Sequence, residues 1–108
     1  MPEPRSFDDM RAHFSALTQD VLFGDVWEQP GLSKRDRSLI TVAALTALYR
    51  TDQLRGHIKR ALENGVTREE IMSAIEHMAF YSGWPCAVNA FTLAKEVFGE
   101  GTNPRSVS

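Results

Sequence analysis

The sequence predicts an all-α protein built of five helices. Apolar side chains recur at intervals of three and four residues, which is the spacing of one helix face. No stretch alternates between apolar and polar residues as a strand does, and no hairpin turn signal is present. Cap residues and Gly or Pro breaks divide residues 1–108 into helical segments, so we expect one domain with flexible ends at 1–5 and 100–108.

The first helix is predicted from Phe7 to about Phe23, with Ser6 as its N-cap. One apolar stripe follows this helix: Phe7, Met10, Phe14, Leu17, Val21 and Leu22. The connection at 24–32 carries Val26 and Trp27, and we expect both side chains to pack down rather than to project.

The second helix begins after the N-cap Ser33 and is apolar on nearly every side from Leu39 to Leu48. A helix of this kind belongs at the centre of a fold. Its first turn, Lys34-Arg35-Asp36-Arg37, is strongly charged. That turn is either a solubilising helix end or the segment that brings Arg37 into a site.

The third helix is predicted to start at a Thr51 cap and to close at Asn64-Gly65. Its apolar face consists of Leu54, Ile58, Ala61 and Leu62. His57 follows Leu54 by three positions, so we expect it on or beside this apolar face.

The fourth and fifth helices are separated by a short break. Thr67 and Glu70 form a capping box for the fourth helix, which runs to about Ser82. Gly83 permits a turn of the backbone. The fifth helix is predicted from Pro85 to about Phe98, because proline suits the first helical position.

The fourth helix carries two apolar or aromatic faces. One consists of Ala74, Ile75, Met78 and Ser82, and the other of Ser73, His77, Phe80 and Trp84. A helix in so short a chain can bury both faces only against its own core and a second molecule. The simplest second molecule is another copy of the chain, and a homo-oligomer is therefore predicted.

The composition excludes several classes of protein. A formal net charge of −2 gives no case for binding nucleic acid or an anionic membrane. The apolar run from Leu39 to Tyr49 is too short to span a bilayer, and no secretion signal is recognisable, so we expect a cytoplasmic location. The single cysteine, Cys86, allows no disulfide and no thiolate metal cage within one chain, and no metal is expected.

Four stretches stand out by their order and spacing: Leu32–Leu45, Leu54–His57, Ala61–Ile71 and Phe80–Ala90. Together they resemble the carboxymuconolactone decarboxylase family, which shares its fold with the alkylhydroperoxidase D-like proteins. The resemblance implies an all-helical subunit that assembles with itself as a trimer or, commonly, a hexamer. It also implies that neither a metal nor an organic cofactor is used.

The peroxidase branch of this fold uses a thiol relay, in which Cys-x-x-Cys is followed four residues later by a histidine. If His57 corresponds to that histidine, the cysteine positions fall on Arg50 and Gln53, and a preceding glutamate position falls near Ser38. Peroxide reduction needs a thiolate and a resolving thiol. The resemblance therefore disfavours a peroxidase.

The decarboxylase branch resembles the chain better, because it also lacks the cysteine pair and keeps the histidine. Its reaction removes CO2 from a small carboxylated unsaturated lactone in the β-ketoadipate route of aromatic breakdown. The branch often has Glu where this chain has Ser38. Beside the decarboxylase, two hypotheses stay open: a non-catalytic oligomeric protein that binds a small ligand or partner peptide, and the disfavoured thiol peroxidase.

His57 is the first candidate for proton transfer or for stabilising an oxyanion, because imidazole titrates near neutrality; the alternative is a core histidine. Arg37, Arg50 and Arg55 are candidates for holding a substrate carboxylate, and each is otherwise a surface charge. Arg50 occupies one of the lost cysteine positions.

Four further residues are candidates for lining an aromatic substrate pocket between subunits: Tyr49, His77, Tyr81 and Trp84. Burial in the core of the subunit is the alternative for His77, Tyr81 and Trp84. For Cys86 we expect a packing role.

Overall fold

The computed structural model describes residues 3–100, with Glu100 by its backbone alone. These residues form five α-helices and no strand, which confirms the all-α prediction. Of the ends expected to be flexible, 3–5 are exposed and non-helical, whereas 1–2 and 101–108 lie outside the described residues. The chain divides into two compact units, and the boundary in the sequence falls between Leu32 and Ser33. No helix in the described range is both long enough and apolar enough to cross a membrane.

The first unit contains α1, Phe7–Leu17, then a π-helical segment, Thr18–Phe23, and a 3-10 turn, Val26–Glu28. The predicted α-helix to Phe23 is therefore wrong over its last six residues. Thr18 is the first residue of the π-helical segment, and its Oγ1 donates a hydrogen bond to the carbonyl of Phe14 at 3.1 Å.

The apolar side chains of the first unit differ from the prediction in their exposure. The predicted stripe on α1 and the π-helical segment is present, but its side chains are exposed. Trp27 is buried, with its ring 5.4 Å from that of Phe23, as predicted. Val26 is exposed, so the expectation that it packs down is wrong.

The second unit consists of four helices: α2, Lys34–Ala47; α3, Thr51–Glu63; α4, Arg68–Ser82; and α5, Trp84–Glu100. Helix α2 packs against α3, α4 and α5, and α5 also packs against α3 and α4. Their core is aliphatic and includes Val42, Leu54, Ile58, Ile71 and Ile75, together with several alanines of α5. The central position predicted for α2 is thus confirmed on one side, whereas Ile40 and Leu48 on its other side are exposed.

Two predicted caps fix the starts of α2 and α4. Ser33 Oγ accepts a hydrogen bond from the backbone N–H of Asp36 at 3.0 Å. At α4 the capping box is complete, since Thr67 and Glu70 each bond the other's backbone N–H with their side chains. Glu70 also pairs with Arg35, and this ion pair joins the first turns of α2 and α4.

Helices α2 and α3 end in the same hydrogen-bond pattern, but with different residues at its left-handed position. In α3 that position is Gly65, with φ +94°, and Gly65 and Val66 donate to the carbonyls of Leu62 and Ala61. In α2 the equivalent position is Tyr49, with φ +60°. A side chain at this φ costs roughly 1–2 kcal/mol, which glycine would avoid.

The Tyr49 turn also explains why the predicted Thr51 cap is wrong. The N–H groups of Tyr49 and Arg50 donate to the carbonyls of Thr46 and Leu45, so Arg50 still takes part in the hydrogen bonds that end α2. Arg50 is then the N-cap of α3, and its side chain makes no capping hydrogen bond. Thr51 is already helical.

A single residue, Gly83, separates α4 from α5 and adopts φ +102° and ψ 152°. This region of backbone space is open essentially to glycine alone. The predicted turn at Gly83 is confirmed, and α5 begins at Trp84, one residue before the predicted start. The turn of the chain from α4 into α5 therefore depends on the backbone conformation of Gly83.

Replacing Gly83 by Ala should lower the free energy of unfolding by about 1–3 kcal/mol, because of the backbone conformation. Crowding is not the reason, since the nearest atom to an added Cβ would be Pro85 Cδ at 3.8 Å. Urea unfolding followed by circular dichroism at one protein concentration measures the change.

Gly56→Ala is the matched control, because Gly56 lies within α3 and an added Cβ there has open space. This change should raise the free energy of unfolding by about 0.5–1 kcal/mol. Equal effects of the two substitutions would contradict the backbone argument.

Candidate functional site

His57 lies beside the core face of α3, as predicted. The buried residues of this helix are Leu54, Ile58 and Ala61, and His57 occupies the adjoining flank with partial burial. Its Nδ1 atom is shielded from solvent. The imidazole therefore has one side in the protein interior and part of its surface accessible.

The environment of His57 disfavours its charged form. Burial is the larger cause, and the positive charge of Arg60 is the second; both lower the pKa of His57 below its ordinary value of 6.5. The side chain is consequently mostly neutral at pH 7, with one nitrogen able to accept a proton and one able to donate.

The arginines predicted to hold a carboxylate occupy different environments. Arg50 is exposed at the N-terminus of α3, and Arg37 is partly buried in the first turn of α2. Arg55 is paired with Glu96 of α5. Arg50 precedes His57 by seven residues, which corresponds to a rise of about 10 Å along the axis of α3.

The junction of α2 and α3 is tied to the start of α5 by side-chain contacts. Asn89 Nδ2 donates to Tyr49 Oη at 2.8 Å and to the carbonyl of Pro85 at 3.0 Å. Cys86 is partly buried, and its Sγ lies 3.8 Å from the carbonyl oxygen of Ala47. Tyr49, one of the predicted pocket residues, is thereby held at a defined place although half of it is exposed.

Ser38, at the position where the decarboxylase branch often has Glu, is completely buried. Its Oγ accepts a hydrogen bond at 2.9 Å from Nδ2 of Asn64, the C-cap residue of α3. The residue joins two helices and presents no surface to a ligand. It therefore supplies structure here rather than a carboxylate.

The other three predicted pocket residues lie on an exposed aromatic surface of α4 and α5. His77 packs on Tyr81 with ring centroids 4.8 Å apart, and Trp84 meets Phe80 edge-on at 5.6 Å. All four side chains are exposed, so burial in the subunit core, the alternative for His77, Tyr81 and Trp84, is wrong. The side chains of α4 that are buried in the core are instead Ile71, Ile75 and Ala79.

This surface contains a groove of about 250 Å³ between α4 and α5. Its lining is apolar except for one carboxylate: Glu76, Ala79, Phe80, Trp84, Ala87, Val88 and Phe91. Glu76 and Phe91 also line a shallower depression toward Met72. We call the groove of about 250 Å³ the α4–α5 groove.

The candidates thus fall into three groups. His57 lies on the flank of α3, Tyr49 and Arg50 lie at the α2–α3 junction, and His77, Tyr81 and Trp84 are exposed on α4 and α5, where Trp84 lines the groove. Arg60 and Asn89 were missed by sequence reasoning. The i, i+3 spacing of Arg60 from His57 could have indicated it. Nothing local could have paired Asn89 with Tyr49, forty positions away.

Removing the charge of Arg60 should raise the pKa of His57. In Arg60→Gln the midpoint should rise but stay below 6.5, because burial remains as the larger cause. Since the unfolded chain binds this proton more readily, the free energy of unfolding should decrease as pH falls below about 6.5. Titration of the imidazole by NMR measures the midpoint.

Lys59→Gln is the control for this titration, because it removes the same charge from the exposed side of the same helix. It should leave the His57 midpoint nearly unchanged. A native midpoint at or above 6.5 would contradict the assignment of the shift to burial.

Comparison with known proteins adds to this geometry. The chain is 38% identical to the 4-carboxymuconolactone decarboxylase of Acinetobacter baylyi over 104 residues, which cover 95% of the chain and 78% of that protein. It is 33% identical to a nitrosuccinic acid decarboxylase of Metarhizium robertsii, over 78% of the chain and 59% of that protein. An uncharacterized 15.0 kDa protein of Paracoccus denitrificans is 31% identical over 89% of the chain and 82% of its own length.

The sequence profile of one family covers most of the chain. The match is to the carboxymuconolactone decarboxylase family and extends over residues 12–96 of the 108. It includes α2, α3 and α4 entirely, with the residues that carried the resemblance. Two of the similar proteins are named as decarboxylases. The chain therefore belongs to the carboxymuconolactone decarboxylase family.

Proposed function

We propose that the protein is a cofactor-independent decarboxylase that acts on a small carboxylated lactone or a related unsaturated acid. The observation that carries the proposal is His57, a partly buried imidazole whose pKa is lowered by burial, in a chain two of whose relatives are named decarboxylases. In this proposal His57 transfers the proton, and Arg50 or Arg37 holds the substrate carboxylate before CO2 leaves.

The reaction makes limited demands on the protein. The bond between the carboxylate and its carbon breaks, CO2 leaves, and the electron pair moves into the conjugated carbonyl of the substrate. A proton then returns to carbon, so that one carboxylate and one proton become one C–H bond and one CO2. The protein must position the carboxylate, stabilise charge on the carbonyl oxygen and pass the proton.

Arg60 adds a positive charge near the imidazole. That charge lowers the pKa of His57, which makes its imidazolium a stronger acid toward carbon. The same charge attracts an anionic substrate to the α3 flank. The first effect supports proton transfer by His57, and the second supports an anionic ligand, which both candidate functions share.

A second candidate function is a non-catalytic protein that binds a small ligand. The observation in its favour is Ser38, which is buried against Asn64 and provides no carboxylate where the decarboxylase branch often has one. Such a protein would bind a carboxylated lactone and leave it chemically unchanged over hours of incubation, with no release of CO2.

We further propose that the working form is a homo-oligomer, a trimer or hexamer, with the substrate pocket between subunits. Large apolar side chains are exposed on two surfaces of the second unit: Ile40 and Leu48 on α2, and Met72, Phe80, Trp84 and Val88 at or beside the α4–α5 groove. Exposed apolar surface of this extent is typical of association sites. A partner subunit would cover both the aromatic candidates and the groove.

Replacing His57 by Gln should lower kcat about 10²- to 10⁴-fold, because the proton carrier is lost while a polar side chain of similar size remains. Release of CO2 from a panel of carboxylated lactones measures the rate. Sedimentation of the variant should match that of the native protein.

His13→Gln is the control, because His13 lies on α1 and is assigned no part in the reaction. Its turnover should equal that of the native protein. Native turnover in His57→Gln would dismiss the proposed role, and absence of turnover in the native protein with tight lactone binding would favour the second candidate function.

Replacing Phe80 by Ser should weaken association roughly thirtyfold, since truncation of an aromatic anchor in an interface costs about 2 kcal/mol. The subunit fold should be little affected, because Phe80 is 73% exposed. Sedimentation equilibrium measures the dissociation constant. Lys95→Ser, an exposed change elsewhere on α5, is the control; equal association of all three proteins would exclude the groove as an interface.

A further inference from the structure

The α2–α3 junction places a tyrosine where the chain elsewhere uses glycine. Tyr49 and Gly65 occupy the same left-handed position in two matching helix ends, and both ends make the same pair of backbone hydrogen bonds. Glycine would serve the turn at Tyr49 without strain. Backbone strain in an intact structure is concentrated at functional sites.

The contacts of Asn89 determine how the phenol of Tyr49 can bond. Asn89 Nδ2 donates to the carbonyl of Pro85 at 3.0 Å, which fixes the orientation of the amide because a carbonyl can only accept. Its other N–H donates to Tyr49 Oη at 2.8 Å. The phenol oxygen is therefore an acceptor toward Asn89, and its own hydrogen is directed elsewhere.

We propose that Asn89 is a positioning residue that sets Tyr49 as a hydrogen-bond donor to the substrate carbonyl oxygen that gains negative charge when CO2 leaves. This inference rests on the proposed decarboxylase function. In that reaction His57 transfers the proton, and Tyr49 stabilises the negative charge on the carbonyl oxygen. Tyr49 is 52% exposed and is therefore open to a ligand.

The chemistry suits a phenol with one bond already made. A donor that is fixed before the reaction stabilises developing charge without reorganising. The hydrogen bond from Asn89 also restricts rotation of the C–O bond, so the donor direction is set in advance. Asn89 contacts no substrate in this scheme and acts only through Tyr49.

Three substitutions test the inference in steady-state decarboxylation. Tyr49→Phe removes the donor and should lower kcat on the order of 10²-fold, with KM changed little, because the bond strengthens only in the transition state. Asn89→Asp has nearly the same shape but no donor, so it loses the bond to the Pro85 carbonyl, and its carboxylate accepts from the phenol and turns the hydrogen inward. It should lose as much kcat as Tyr49→Phe, whereas Asn89→Ala should lose less.

Thr92→Val is the control on α5, because Thr92 is exposed and its hydroxyl donates to the carbonyl of Val88 in its own helix. It should keep native kcat and KM. Native kcat in Tyr49→Phe would overturn the role of the phenol, and native kcat in Asn89→Asp would overturn the role of Asn89.

An NMR measurement separates this inference from the proposed function. The chain has two tyrosines, so with ¹³Cζ-labelled tyrosine the signal of Tyr49 is the one that disappears in Tyr49→Phe. That signal should shift in Asn89→Asp and Asn89→Ala and stay in place in Thr92→Val. Identical signals in all of them would overturn the positioning by Asn89 whether or not the native protein turns over a lactone. If the native protein releases no CO2 from any lactone, the proposed function fails and the donor role of Tyr49 in decarboxylation fails with it.

Discussion

The proposed assembly and pocket depend on one feature, the apolar surface that the helices of the second unit leave exposed. The core side chains Val42, Ile58 and Ile75 are completely buried, whereas Leu48 and Phe80 are more than half exposed. A small helical unit has too little volume to cover both faces of α4. Association of subunits would stabilise this surface and, by the same contacts, exclude water from the aromatic candidates.

The helix ends show where local stability is preserved and where it is not. Gly65 and Gly83 suit their backbone angles, and the caps at Ser33 and Thr67 satisfy helical N–H groups. Tyr49 departs from this pattern, because it accepts a strained angle and is then fixed by Asn89. Departures of this kind from local consistency are expected at functional sites.

The fold was predictable where its determinants are local. The caps at Ser33 and Thr67, the break at Gly83 and the position of His57 beside a core face all follow from spacing within a few residues. The π-helical segment after Leu17 was not predicted, because its apolar spacing is the same as that of the α-helix before it. The N-cap at Arg50 was not predicted, because the Tyr49 turn overrides the cap signal at Thr51. The hydrogen bond between Asn89 and Tyr49 forms because α5 packs near the end of α2. The two residues are forty positions apart, so no local sequence pattern predicts this bond.

The most direct test of the account is to measure the specific activity and the sedimentation of the native protein together along a dilution series. Mass action requires the associated fraction to fall as the protein is diluted. If the apolar surface assembles the working pocket, specific activity should fall in proportion to the associated fraction. A dilute monomer that retains full specific activity would contradict the account.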